Sequence, residues 1–401
     1  MRLRNQFIWL VAAGGAVVGV RWLLERPVRC GASALVPEAA PEAAPEAAPE
    51  AAPLAAAPPA AAAPPATPRR RRAGILYLRI TSATEATRAG TSPWPQWLPA
   101  VEASAAANAD EVAYYFAGPA TNFSCPNCVS IPTDLDALLG RVEAHLGVDR
   151  AKVSVKSLKH KICDLKPMWP TLFPEVAAAH EFVGYADLDV IFGDLAAEVR
   201  ALRDGDDLLV PSSWYPAPLA NGNFLLFRSE RRVLDIFRRH AGWREALTTP
   251  GYDVYDEWHG KAPERTFMHA LLEEHLNGRL RPRPTARLFL QDVVGPRNLW
   301  DRPATVRVRW ERGALTAAYD GPCVCAKDMV PQFSIAQCAQ CVRRPGEKLE
   351  DVVVTRELEV LAYHMLSAKF HVRDVEPRLA NCSRFDLTKA DDSLKHTFAC
   401  R

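Results

Sequence analysis

The chain has 401 residues, 48% of them hydrophobic and 24% charged, with a formal net charge of +2. That is enough apolar material for one large core or two small ones. The near-neutral balance excludes the strong field of a polyanion binder, so no nucleic-acid partner is expected.

The charges are unevenly spread. The first 24 residues contain no acid, residues 31–68 contain no base, and 69–72 are four arginines. Arg2 and Arg4 precede "FIWLVAAGGAVVGV", residues 7–20. Such a length suits the h-region of a signal peptide. Counting on to Leu24 brings it near the lower limit for a span, with Arg21 snorkelling to the lumenal boundary. Positive charge ahead of the segment favours a cytoplasmic N-terminus. The expected organisation is a cytoplasmic tail at 1–6 and a signal anchor at 7–24. A cleaved signal peptide is the alternative, and both routes deliver the rest of the chain to the secretory lumen.

Residues 25–72 follow as a stem. The unit PEAA repeats four times in it. Proline at every fourth position blocks a continuous helix, and no bulky apolar side chains are available for a core. The stretch therefore reads as a semi-extended spacer with a basic end. Ten cysteines and the sequons at Asn122 and Asn381 agree with an oxidising lumen.

From residue 73 to 401 the pattern is that of one α/β domain. "AGILYLRI" is a buried strand, and "WLPAVEASAAANA" has helical spacing with Trp97, Leu98 and Val101 on one side. "EVAYYFAG" and "CVSIP" are strands. "TDLDALLGRVEAHLG" is a helix capped by Thr133 or Asp134 and ended by Gly147. "FVGYADLDVIF" is a strand apolar enough to be buried on both faces. Strands alternating with helices predict a mostly parallel sheet with helical crossovers, which binds ligands beyond the carboxyl ends of its strands.

Asp187 and Asp189 stand at that position on the last of these strands. An unpaired carboxylate buried in apolar surroundings costs several kcal/mol, roughly, so the pair must reach a surface or meet a cation. The other D-x-D triplets have ordinary explanations. Asp134 and Asp136 start a helix, where carboxylates suit the dipole, and Asp204 and Asp206 lie in a polar loop. Paired carboxylates on a rigid turn suit a divalent cation such as Mn²⁺ or Mg²⁺ that also holds a diphosphate. Strand-end carboxylates that cap nearby amides are the structural alternative.

The chain resembles the GT-A glycosyltransferases. It is most similar to a glycosyltransferase-like family with the pattern Y-K-L-C-D-x-K-P followed by G-x-x-D-L-D-V-I-x-G-D. Here the blocks read "HKICDLKPMWP" and "VGYADLDVIFGD", with "PWPQWLP" before them and "GNFLLFRSERRVLDIF", "YDEWHG" and "LAYHMLSAK" after them. The family's Tyr-Lys is His-Lys here, "MWP" replaces its small residues, and 280–350 matches nothing in it. The resemblance implies a GT-A, Rossmann-like fold and transfer of a sugar from a nucleoside diphosphate donor to a glycan, protein or lipid hydroxyl. It implies Asp187 and Asp189 as metal ligands, Asp187 also touching the nucleotide sugar, with His364 completing the shell. An imidazole ligand suits Mn²⁺ better than Mg²⁺. Asp164 and Lys166 would contact the nucleotide. Asn221, Gly222 and Asn223 would contact the acceptor, or form a hairpin turn. Asp256 or Glu257 would take the acceptor's proton. A single-pass type II Golgi membrane protein with a lumenal catalytic domain follows, a secreted form arising where the anchor is cleaved. A catalytically silent carbohydrate-binding or scaffold protein on the same fold is the competing expectation.

Among the cysteines, "CVC" and "CAQC" (Cys323, Cys325, Cys338, Cys341) read as disulfide partners in a lumen, and as a zinc site otherwise. "CPNC" reads as a local bridge or as two halves of distant ones. Cys163 reads as a buried free thiol.

Overall fold

The first expected strand forms as β1 (Ala73–Leu78), and all six of its residues are buried. The computed structural model describes residues 71–80, 94–154, 158–211, 222–251, 255–256, 263–291, 305–322, 353–364, 384–389 and 396–400. The apolar segment 7–24, the stem up to residue 70, Asn221, Glu257 and the CVC and CAQC motifs lie outside these residues. Among the described residues no helix is long and apolar enough to cross a membrane.

β1 pairs in parallel with β2 (Val112–Gly118) and with β4 (Phe182–Ala186), and β2 pairs in parallel with β3 (Cys128–Pro132). β7 (Phe224–Arg228) runs antiparallel to β4, and β6 (Leu208–Val210) antiparallel to β7. β8 (Pro282–Pro284) closes the edge parallel to β6. The order is β3-β2-β1-β4-β7-β6-β8, a mostly parallel sheet as expected.

Period-two alternation splits the apolar side chains between two core layers. Ile75, Tyr77, Tyr114, Phe116 and Phe224 pack with Leu98 and Val101 of α1 (Leu98–Ala107). Leu76, Leu78, Val183, Tyr185 and Phe227 pack with Leu138 and Val142 of α2 (Leu135–Leu146). Each such large side chain contributes about 1.5–3 kcal/mol by leaving water. α2 keeps its expected ends. Asp134 accepts from the Ala137 amide at 2.8 Å, and Gly147 leaves the helix at φ 66°. A Cβ on Gly184 would lie 1.8 Å from the Leu225 carbonyl oxygen, so β4 and β7 close up only because that residue is glycine.

The expected continuous strand over 182–192 is in fact two strands. β4 ends at Ala186, and β5 (Val190–Phe192) belongs to a second sheet. That sheet contains β10 (Thr305–Glu311), β11 (Ala314–Pro322), β12 (Val353–His364), β13 (Arg384–Lys389) and β14 (His396–Cys400). Its order is β14-β13-β10-β11-β12-β5, all antiparallel, with β9 (Leu288–Gln291) parallel to β12. This sheet was not expected from the sequence, and three of its strands lie within the unplaced 280–350 stretch. It is joined to the first core by side chains: the Trp310 indole donates to the Phe192 carbonyl at 3.1 Å, and Ala362 is buried beside Phe192.

The chain engages the fold before the expected boundary at 73. Arg71 Nε donates to the Ala109 carbonyl at 2.6 Å, and Arg72 Nε reaches Glu181 Oε2 at 2.9 Å. Cys125 and Cys128 form a local disulfide, and Cys163 is a free thiol. The sequon residue Asn122 is exposed.

Candidate active site

The site begins where α3 (Leu158–Asp164) gives way to a tight turn, Lys166–Met168, with Pro167 at an early position. Proline has no amide to lose there and its fixed φ suits the turn. The turn aims Lys166 inward. Its ammonium lies 2.7 Å from Asp187 Oδ1, 3.1 Å from Asp256 Oδ2, and donates to the Gly222 carbonyl at 2.7 Å. Three of the segments singled out in the sequence therefore meet at one cation. The lysine is 3% exposed, Asp256 0% and Asp187 22%, so the cluster opens to solvent through Asp187. Burial opposes the lysine's charge, but Asp187 foremost, with Asp256, outweighs it and holds the ammonium well above its ordinary pKa. The adjacent Cys163 is pushed up to about 12, chiefly by burial, and is a neutral thiol at physiological pH.

Asp187 sits where β4 stops. Its amide donates to the Asn223 carbonyl at 2.9 Å, and its own carbonyl accepts from the Val190 amide at 3.1 Å. The 187–189 segment is thus a turn that carries the chain from the first sheet into the second. The Trp97 indole pins it by donating to the Leu188 carbonyl at 2.8 Å. Asp189 is buried at 4% exposure, so of the two carboxylates only Asp187 keeps a face to solvent. The second sheet brings His364 to the same turn. In the register of β12 with β5, His364 stands opposite Val190, the residue after Asp189, and opposite Gln291 of β9. Val190 and His364, 174 positions apart in sequence, share one strand pair.

Other expected residues have different positions. Asp164 is fully buried, accepts from the Tyr255 amide at 2.8 Å and pairs with Lys161 Nζ at 3.2 Å. It holds the 255–256 segment in place and offers no surface to a base or ribose. Lys166 faces carboxylates, not open solvent. Asp256 is brought to the centre, but its burial and its lysine partner make it a charge counterweight, not an exposed base. Gly222 and Asn223 line the turn through their backbone carbonyls. Lys161 was not anticipated. The signal was its place three residues before Asp164 on a helix, where the two side chains meet.

The profile of a family of unknown function, DUF6625, matches residues 92–316, more than half of the chain. The chain belongs to that family. The DUF6625 match takes in Lys166, Asp187, Asp189 and Asp256 and ends before β12, so His364 comes from outside it. No curated protein matches the chain. Among solved structures, mouse xyloside xylosyltransferase 1 in its apo form is 13% identical, at TM-score 0.29, covering 56% of this chain and 88% of that one. The glycosyltransferase GlyE of Streptococcus pneumoniae TIGR4 is 11% identical, at TM-score 0.27, covering 53% of this chain and 45% of that one. A glycosyltransferase involved in glycosylation of the major capsid of PBCV-1 is 12% identical, at TM-score 0.24, covering 55% and 84%.

Proposed function

We propose that this protein is a metal-assisted glycosyltransferase that uses a nucleoside diphosphate sugar. The observation that carries the reading is the 187–189 turn. Two carboxylates stand at the carboxyl end of a buried central strand, and the register of β12 brings His364 beside them. Two carboxylates and an imidazole are a fitting donor set for Mn²⁺, with Mg²⁺ second. Asp187, Asp189 and His364 would hold the ion, which when bound supplies positive charge to a departing diphosphate.

The chain's own residues do the remaining work. Lys166 pairs with Asp187 and fixes its orientation through Oδ1. Asp256 balances the lysine so that the buried cluster carries no uncompensated positive charge. Asn223 and Gly222 hold the turn through backbone carbonyls and leave the approach to Asp187 for the acceptor side. The acceptor's proton falls to Glu257, next to the buried Asp256. The domain works in the Golgi lumen, tethered by 7–24 and the stem, a reading supported by the charge pattern around the apolar segment and by the Cys125–Cys128 disulfide.

One observation favours a second reading. Lys166 already neutralises Asp187, so the same cluster is stable without a metal, as a silent carbohydrate-binding protein would need. Calorimetric titration of UDP and GDP into the full chain, with and without Mn²⁺, separates the two. The transferase reading expects Mn²⁺-dependent nucleotide binding that is lost in Asp189→Asn. Binding of glycans with no response to Mn²⁺ or nucleotide would replace it with the second.

A further inference from the structure

A second group of ligating side chains lies on α4 (Phe267–Leu276), outside the site described above. His269 and Glu273 are one helical turn apart and share a face. His240, at the end of the turn Ile236–Arg239, meets them. One ligand atom from each of the three residues lies within 4.8 Å of the others. The Nε2 atom of His240 is buried, makes no hydrogen bond among the described residues, and lies 3.2 Å from Glu273 Oε2. The two imidazole rings are 5.5 Å apart at 67°. The next carboxylate, Glu274, is engaged by Arg279 at 2.8 Å and Arg239 at 3.9 Å, so those cations are directed away from Glu273.

We propose that His240, His269 and Glu273 form a zinc site distinct from the 187–189 turn. Two neutral imidazoles and one carboxylate are borderline ligands that suit Zn²⁺ better than Mg²⁺ or Ca²⁺. Ligand atoms around a tetrahedral zinc at about 2.0–2.1 Å stand roughly 3.3 Å apart, close to the His240–Glu273 separation, and a rotamer adjustment closes the remainder. Three protein ligands leave a fourth position for water. The consequence is mechanical. α4 is capped by Thr266, and its first residue, Phe267, donates its amide to the carbonyl of Tyr255, the neighbour of Asp256, at 3.0 Å. A zinc ion between α4 and His240 would brace the helix that holds Tyr255, and with it Asp256, in place.

The test uses the full chain, dialysed against chelator and titrated with Zn²⁺ in competition with a chromophoric chelator, followed by X-ray absorption at the zinc edge. The proposal expects about one tight equivalent with nitrogen and oxygen neighbours and imidazole scattering. Affinity should fall at least tenfold in His269→Ala and in Glu273→Gln, since even outer-shell changes cost about 10–100-fold. It should be unchanged in Asp189→Asn. Glu273 is half-exposed, so Glu273→Gln keeps the fold and controls for any misfolding of His269→Ala. Zinc held through sulfur, affinity equal in all variants, or binding no tighter than millimolar would each overturn the site. Loss of zinc in Asp189→Asn alone would assign the metal to the 187–189 turn instead.

Discussion

Two lysines five residues apart in the same segment are both buried against an aspartate, yet they do different jobs. Lys161 and Asp164 are sealed on all sides, the lysine donating onward to the Ala246 carbonyl and the aspartate accepting from the Tyr255 amide. Lys166 has the same chemistry, but its partner Asp187 keeps a face to solvent. A buried pair with no face to solvent is a staple. A buried pair with one member at the surface can exchange that surface for a ligand. The difference comes from where the partner sits: Asp164 ends a helix inside the core, whereas Asp187 opens the turn just beyond a central strand.

The comparison is tested most severely at Lys161. Lys161→Met leaves Asp164 charged and buried, and removing one partner of such a pair costs about 3–5 kcal/mol. Urea unfolding should report that loss, while any nucleotide binding per folded molecule stays at the wild-type level. Equal loss of binding would mean that the staple is part of the site.

At Lys166 the expected stability loss is of the same order, about 3–5 kcal/mol, because Asp187 can turn to water but the sealed Asp256 loses its partner. Lys166→Met combined with Asp256→Asn should recover part of it, and a double-mutant cycle in urea should give a coupling of about 0.5–3 kcal/mol. Strict additivity would break the description of Asp256 as the counterweight. Asp187→Asn sharpens the same point. Its stability change should be about 1 kcal/mol, whereas Mn²⁺-dependent binding of UDP or GDP should fall by at least an order of magnitude.

The smallest effect belongs to a third carboxylate. Glu181 joins Arg72 at 2.9 Å and Arg228 at 3.3 Å at the rim of the first sheet, and the Arg72 hydrogen bond holds its pKa below the ordinary value. A folded-state pKa below the unfolded one means that this stabilisation is complete above the usual carboxylate range. It is lost as pH falls through the folded value. Glu181→Gln should therefore reduce stability at neutral pH by less than about 1 kcal/mol, as for other exposed pairs, and remove that share of the acid dependence. A thermal melt series from neutral to acid pH reads both.

The sequence by itself determined much of the first sheet. Apolar runs, period-two alternation and capping residues are local signals, so β1, β2, β3, α1 and α2, with a cap at Thr133 or Asp134, could be read in order. It also singled out Lys166, Asp187, Asn223 and Asp256 as residues worth bringing together. Tertiary structure alone decided how they meet. An uninterrupted apolar pattern over 182–192 cannot reveal that the chain changes sheets at 187–189, because both halves are buried and only the neighbours differ. Strand partners are nonlocal, so neither the second sheet nor the pairing of β12 with β5 that carries His364 to the turn has a signature in any short window. Burial follows the same rule. Composition makes Asp164, Asp187, Asp189 and Asp256 alike, and only the packing around each makes the first a staple, the second a partly exposed face and the last a sealed counterweight.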